Sequence, residues 1–461
     1  MGVAGEAMAE IEGTELQYLN RYYEADGSQL IVLYGQKNIG MAELLRAFCQ
    51  GKPQSFYRAR PCSEREQRYL WGNELKEEGA TLEEYPSFSE LFDSMIRRRT
   101  EKKVIVIEEF HNIVRQSQEF MQSVTQFLHN EWNNQQVMVL LCSTYIGWIE
   151  NSMIEKIGEA AYEISGFVKM KEKRFFDMVR RFTDNTRQQQ IETYAVLGGF
   201  PGLWEHFEEG LPLRDNICRY ILRRGCFLHE EALRMVAEEL RETYVYHAIL
   251  TALASGKQKL NDLYLHTGFS RAKISVYLKN LMELEIVEKV FSYDTEGREN
   301  AQKGVYRICN QFVHFYFRYL YPHMSRLDML DEETYYDIYI EPDLRNFTAS
   351  VFGQVCREYM EYLNLRGELP FVYTKTGEWV GKVGNIDIIA QDEEGHTLIG
   401  LCNWETSVMP YEDYEWLAFC ARKAKLSADH VYLFSAYRFD EKLIQEAEMR
   451  DDLHLIDLDT F

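Results

Sequence analysis

The run Leu30-Ile-Val-Leu-Tyr-Gly-Gln-Lys-Asn-Ile-Gly-Met-Ala-Glu-Leu-Leu45 constrains the fold more than any other stretch of the chain. Its apolar start, Leu30 to Leu33, reads as a buried strand, and the residues from Met41 read as a helix. Between them Gly35 and Gly40 stand at the spacing of a phosphate-cradling turn that joins a strand to a helix. Such a turn works through backbone N–H groups and a helix N-terminus aimed at phosphate oxygens. Hydrolysis needs more: a Lys directly after the second glycine, and then a Ser or Thr to hold Mg²⁺. Met41 and Ala42 occupy those positions, and Lys37 is the only cation inside the turn. The candidate nucleotide contacts are therefore Gly35, Lys37, Asn38, Gly40, Met41 and Ala42. Weak ATP binding without magnesium is the expectation.

The surrounding sequence supplies a sheet for this turn. Glu15 to Tyr23 has helical apolar spacing, and Gln54 to Ala59 reads as a second strand. Val104-Ile-Val-Ile107 is a further buried strand, and it ends in Glu108-Glu109. Two acids at the carboxyl end of a parallel strand offer a magnesium-supporting acid, Glu108, and a water-polarising base, Glu109. Glu108 is one methylene longer than the usual Asp, and Mg²⁺ tolerates little distortion of its octahedral shell. The same residues also fit a plain pair of acids capping a strand. Val137 to Cys142 is the next strand, with Ser143-Thr144 at its end, where a resemblance to P-loop ATPases implies a polar sensor for the γ-phosphate and makes Thr144 the candidate. Strands alternating with helices predict a doubly wound α/β domain.

Composition bounds the remainder. At 461 residues and 46% hydrophobic, the chain suits about three domains. It shows no leader-like start and no apolar run long enough to span a bilayer, so a cytoplasmic protein without a membrane partner is expected. The nine cysteines are scattered with no CxxC pair, which fits neither a zinc site nor a disulfide frame. Net charge is −22, and residues 321–461 hold 12 Lys/Arg against 28 Asp/Glu. Positive clusters stand at Arg97 to Lys103 and between Lys169 and Arg187, as solvated surface or as a nucleic-acid patch.

These motifs together resemble the prokaryotic AAA-type P-loop ATPases called the archaeal ATPase family, in the subgroup with a C-terminal DUF234 domain. The resemblance rests on the loop at Gly35 to Gly40, on Val104 to Phe110 and Leu140 to Thr144, on Val196-Leu-Gly-Gly-Phe-Pro-Gly-Leu203, and on Ile221 to Glu231. It implies a P-loop domain over 1–165, a helical lid over 166–240, a winged helix-turn-helix over 241–320, and a restriction-endonuclease-like α/β domain over 321–461. Gly198-Gly199 before Pro201 reads physically as a reversal between two helices. Arg180, Arg181, Arg223 and Arg224 of the lid are either phosphate contacts or solvated surface.

Residues 243–308 carry their own pattern. Three helical segments and two short strands, with Ser270 as an N-cap for the third helix, make a winged helix. The third helix offers Arg271, Lys273 and Lys279 to a DNA backbone. The wing mixes Lys289, Arg298, Lys303 and Arg307 with Glu288, Asp294, Glu296 and Glu299, which leaves DNA contact and protein docking both open.

In the last domain the resemblance implies a metal site of an Asp, a Glu-x-Lys and a helix Glu. Asp387 is present as a remnant, but Leu401, Asn403 and Gly353 stand at the other positions. One carboxylate does not assemble such a site. Glu405 joins that face only if its strand runs far enough. Trp379, Trp404 and Trp416 are either surface anchors or core. Loss at both sites, on scaffolds that stay well patterned, predicts a non-catalytic scaffold or regulator with a protein partner or self-association. The alternatives are a divergent active ATPase and a winged-helix DNA-binding regulator.

Overall fold

Strand β1 (Gln29–Tyr34) leads into the Gly35–Gly40 turn and the helix Met41–Cys49 in the computed structural model, which describes residues 14–96, 102–129, 136–293, 304–381 and 383–461. Most of the Arg97–Lys103 cluster, the wing tip at 294–303, and Lys382 lie outside the described residues. The chain divides into two compact units, Met1–Glu172 and Lys173–Phe461.

In the first unit, β1 is joined by β2 (Gln54–Arg58), β3 (Lys103–Glu108), β4 (Val137–Ser143) and β5 (Gly166–Lys169). All pairings are parallel, and the order is β2-β3-β4-β1-β5. Every residue of β4 is buried, as a central parallel strand covered on both faces requires. Alternation sends Leu30, Val32, Ile105, Ile107, Val139 and Leu141 to one face, where Trp71, Phe88, Phe92 and Phe120 pack on them. The helix Met41–Cys49 buries Leu45, Phe48 and Cys49, and Tyr23 of the helix Thr14–Glu24 meets Phe48 edge-on at 6.1 Å. Right-handed crossovers put the helix after β1 on one face of the sheet and those after β2, β3 and β4 on the other. The order therefore switches between β1 and β4, and the crevice for a ligand opens there at the strand carboxyl ends. β5 pairs with β1 beyond residue 165, so the sheet continues past the boundary that the sequence suggested.

The second unit begins with helices that include Phe175–Val179, Arg187–Leu197 and Pro201–Trp204. Gly198 ends one of these at φ 63°, and the Trp204 indole donates to its carbonyl at 2.7 Å, so the Gly-Gly-x-Pro segment is a structural reversal. Helices Thr243–Ala254, Leu260–Thr267 and Arg271–Glu283 follow, with β6 (Val287–Val290) antiparallel to β7 (Val305–Ile308). The Ser270 hydroxyl caps the third helix by accepting the Lys273 amide at 3.2 Å. The helix Glu341–Arg366 then leads to a mixed sheet of β8 (Lys375–Val380), β9 (Asn385–Gln391), β10 (Thr397–Asn403), β12 (His430–Ser435) and β14 (Leu453–Asp457), in the order β14-β12-β10-β9-β8. A small pair, β11 (Val408–Met409) and β13 (Arg438–Phe439), stands beside it. β8, β9 and β10 are antiparallel neighbours, and β10, β12 and β14 are parallel. Among the described residues no helix is long and apolar enough to cross a membrane.

Candidate functional site

The turn after β1 is held to the next strand by its own backbone. The Gly35 amide donates to the Ser143 carbonyl at 3.3 Å, and Ile39 N–H donates back to Gln36 within the turn. A Cβ on Gly35 would lie 3.0 Å from the Met170 carbonyl oxygen, so any side chain there would force the neighbouring backbone to give by a few tenths of an ångström. Asn38 and Gly40 both take left-handed conformations, φ 65° and 94°. Such residues curl successive amides toward one concave point, which is the geometry of an anion nest. Gly40 is also the N-cap, and no side chain caps the helix that it opens. Lys37 and Met41 are half-buried, and Ala42 is exposed. The backbone thus fits a phosphate. The side chains after Gly40 supply neither the cation nor a magnesium ligand.

The two acids at the end of β3 are placed differently from one another. Glu108 sits in the sheet register opposite Cys142, and the Arg58 guanidinium lies 3.9 Å from its carboxylate. Burial pushes the Glu108 carboxyl above its ordinary value, and Arg58 opposes that rise. Glu109 takes a positive φ of 52°, and its carboxylate turns onto Thr144. It accepts the Thr144 amide at 3.1 Å and the Thr144 hydroxyl at 3.1 Å on both oxygens. Burial raises the Glu109 carboxyl as well, against these two donors. The structure thus brings Glu109 and Thr144 together at the β3–β4 end of the crevice, with their mutual bonds occupying the groups assigned to base and sensor.

One neighbour, His111, completes this end and was not singled out in the sequence. His111 is buried, with Nδ1 2.9 Å from the Ser143 hydroxyl and 3.4 Å from Glu109, and its ring stacks on Tyr145 at 3.9 Å. Burial first, and then Arg115, lowers the His111 pKa to about 3, so the ring is neutral. Its position two residues beyond Glu109 was the available signal. In the second unit, Arg181, Arg223 and Arg224 each face an acid of that unit: Glu209, Glu332 and Asp328.

The basic residues of the winged helix are largely engaged. Arg271 is exposed, but its guanidinium lies 4.0 Å from the Tyr264 ring centroid and donates to Asn261 at 2.5 Å. Lys273 turns to Glu242 at 3.8 Å, among the rings of Tyr244, Phe269 and Tyr277. Lys279 stays exposed and pairs with Glu283 at 3.4 Å. The base of the wing is docked on the C-terminal sheet: Arg307 pairs with Glu378 of β8, the Ser292 hydroxyl accepts the Val380 amide at 3.1 Å, and the Tyr293 hydroxyl donates to Gln391 at 3.1 Å. This contact covers β8, an edge strand.

In the C-terminal sheet Asp387 has a structural task. Its carboxylate accepts the Cys402 amide at 2.8 Å, and burial raises its carboxyl. Arg357 donates to the Asp387 carbonyl at 3.2 Å and lies 3.7 Å from Glu378. A Cβ on Gly353 would stand 3.8 Å from that same guanidinium. A cationic side chain therefore sits beside the position of the missing helix acid. β10 ends at Asn403, whose amide group closes a local turn with Thr406, and Glu405 lies exposed beyond the strand. The extension that would carry Glu405 to the site is absent. Trp379 and Trp404 are buried, and Trp416 is 45% exposed.

Two segments of the chain match protein families. Residues 316–414 match the family DUF234, described as "Archaea bacterial proteins of unknown function", and residues 248–289 match the bacterial regulatory protein, arsR family. An uncharacterised protein of Methanocaldococcus jannaschii is 25% identical over 403 residues, covering 85% of this chain and 86% of that one. Among solved structures, the Walker-type ATPase of Pyrococcus abyssi is 15% identical with a TM-score of 0.45, covering 67% of this chain and 95% of that one. The Aeropyrum pernix ORC2 protein, in ADPNP–ADP complexes, is 13% identical with a TM-score of 0.43, covering 69% and 93%. The chain joins a five-stranded parallel sheet, a winged helix and a DUF234 segment.

Proposed function

We propose that this DUF234-bearing, ATPase-like protein holds nucleotide phosphate weakly through backbone groups, does not hydrolyse it, and serves as a scaffold or regulator for a protein partner. The observation that carries this reading is the state of the crevice: Met41 and Ala42 head the helix where a cation and a magnesium ligand belong, and Glu109 is turned onto Thr144. A nest of amides attracts an anion, but charge developing on a transferred phosphoryl group needs a cation or metal beside it. The second degenerate centre supports the same reading, because Asp387 is committed to the Cys402 amide and Arg357 lies beside Gly353. Exposed Trp416, stacked on Phe419 at 5.3 Å, offers an aromatic anchor for a partner. Phosphate release from ATP with Mg²⁺ tests the proposal, in the natural chain and in Glu109→Gln. Background rates in both are expected; magnesium-dependent turnover abolished in Glu109→Gln would establish a divergent active ATPase instead.

The arsR-family match over residues 248–289 favours a second reading, a DNA-binding regulator. It predicts duplex binding that weakens steeply with salt and is reduced in Arg271→Ala and Lys279→Ala. The aromatic and acidic partners of Arg271, Lys273 and Lys279, and the docked wing, weigh against it.

A further inference from the structure

A groove of about 500 Å³ opens within the second unit, between the helix Thr243–Ala254 and the segment 317–343. Its volume lies within the usual range for small-ligand sites. Part of its wall is a wide π-helical turn, Tyr316–Leu320, whose successive residues Phe317, Arg318 and Tyr319 all line the groove. Turns of this kind recur at functional sites. Further along, His323 and Tyr339 also line it, their rings stacked at 4.4 Å and 31° and both half-buried.

Arg318 and Asp343 are the polar centre. The guanidinium Nε and Nη2 donate to one carboxylate oxygen at 2.9 and 2.7 Å, and Nη1 donates to the Ala254 carbonyl at 2.9 Å. A guanidinium has five N–H groups, so one hydrogen on each terminal nitrogen is left without a partner among the described residues. The other Asp343 oxygen meets the Asn346 amide at a long 3.4 Å, and it retains capacity to accept. The two side chains are 35% and 30% exposed, so a ligand in the groove can reach them. Thr251 and Ser255, one helical turn apart, face the groove from another element. Their hydroxyls donate to the His247 and Ala252 carbonyls at 2.7 and 2.8 Å, which leaves both oxygens as acceptors.

We infer that this groove binds a purine nucleoside that carries no phosphate. Arg318 and Asp343 cancel in charge, and no other Lys, Arg, Asp or Glu lines the groove. Burial lowers the His323 pKa and keeps that ring neutral. An uncharged ligand is therefore favoured, since a net charge would enter without a counter-charge. A planar ring system stacks on the His323–Tyr339 pair. Purine edges carry an N–H donor close to a ring nitrogen or carbonyl acceptor, which matches an accepting Asp343 oxygen beside a donating Arg318. Ribose hydroxyls then have the Thr251 and Ser255 oxygens to donate to.

Calorimetric titration of the full chain with adenosine, guanosine, AMP and benzoate tests this, with Gly40→Asp as a second host to set aside the phosphate crevice. One adenosine or guanosine per chain is expected in both hosts, with AMP bound no more tightly and benzoate at least tenfold more weakly. Tyr339→Leu should weaken nucleoside binding about tenfold through lost stacking, and Asp343→Asn about tenfold through the lost charged acceptor. Amide exchange, which needs no variant, should slow over 251–255, 317–323 and 339–343 when nucleoside is added. Absence of nucleoside binding at millimolar concentration, binding lost in Gly40→Asp, a preference for benzoate, or protection confined to other segments would overturn the inference.

Discussion

Glu358 is placed to make the second unit sensitive to pH. It lies on the long helix Glu341–Arg366, and its carboxylate accepts the Phe175 amide at 2.8 Å, the Gln354 side chain at 3.3 Å and the Tyr194 hydroxyl at 3.5 Å. Burial dominates these contacts and Arg174, raising its pKa from 4.5 to about 7. A raised carboxyl pKa means that the folded state holds its proton longer than the unfolded chain does. The associated stability is fully present below pH 4.5 and is lost as pH rises through about 7. At 1.36 kcal/mol per unit, the loss amounts to about 3 kcal/mol. Glu358→Gln keeps an oxygen for the Phe175 amide and removes the titration. Urea unfolding across this pH range should show the natural chain falling relative to the variant by about that amount between pH 4.5 and 7, and not below it. Parallel stability curves for the two proteins would refute the reasoning.

Other consequences follow from single contacts. Arg307→Ala leaves Glu378 facing Arg357 at 3.7 Å as its one cationic partner among the described residues, and it should cost about 1–2 kcal/mol while raising amide exchange in β6, β7 and β8; unchanged exchange would show that the wing is held by other contacts. Thr144→Val removes the hydroxyl from a buried Glu109 carboxylate, with an expected loss of about 1–3 kcal/mol in thermal or urea unfolding that should be smaller in Glu109→Gln. Ser270→Ala removes a helix cap, and a loss of about 1 kcal/mol is expected, with Ser270→Asp restoring most of it.

The sheet was legible because parallel strands covered on both faces must be apolar throughout. Leu30 to Leu33, Val104 to Ile107 and Val137 to Cys142 each read as one short run, and each is a strand. β5 was not, because Gly166-Phe-Val-Lys169 is an edge strand with one fully buried residue and no periodic signal. At the crevice, residue types announced the loss of Lys and Ser/Thr, whereas the turning of Glu109 onto Thr144 depends on a positive φ that no pattern announces. The same holds in the second unit. The basic residues of the third helix could be named from the sequence, but Arg271 and Lys273 are engaged by Glu242, Tyr244, Asn261 and Tyr264, outside that helix. Docking of the wing on β8 joins Arg307 to Glu378 across 71 residues, a separation that local spacing does not encode.

The most direct test of the central claim is calorimetric titration of ATP and ADP, with and without Mg²⁺, against the natural chain and Gly40→Asp. Gly40 adopts φ 94°, so an aspartate there both strains the turn and places a negative charge at the nest. A backbone cradle predicts weak binding of both nucleotides that is the same with and without Mg²⁺ and is lost in Gly40→Asp. Tight ATP binding that requires Mg²⁺ would contradict it and show that the crevice holds the metal through groups other than the two missing side chains.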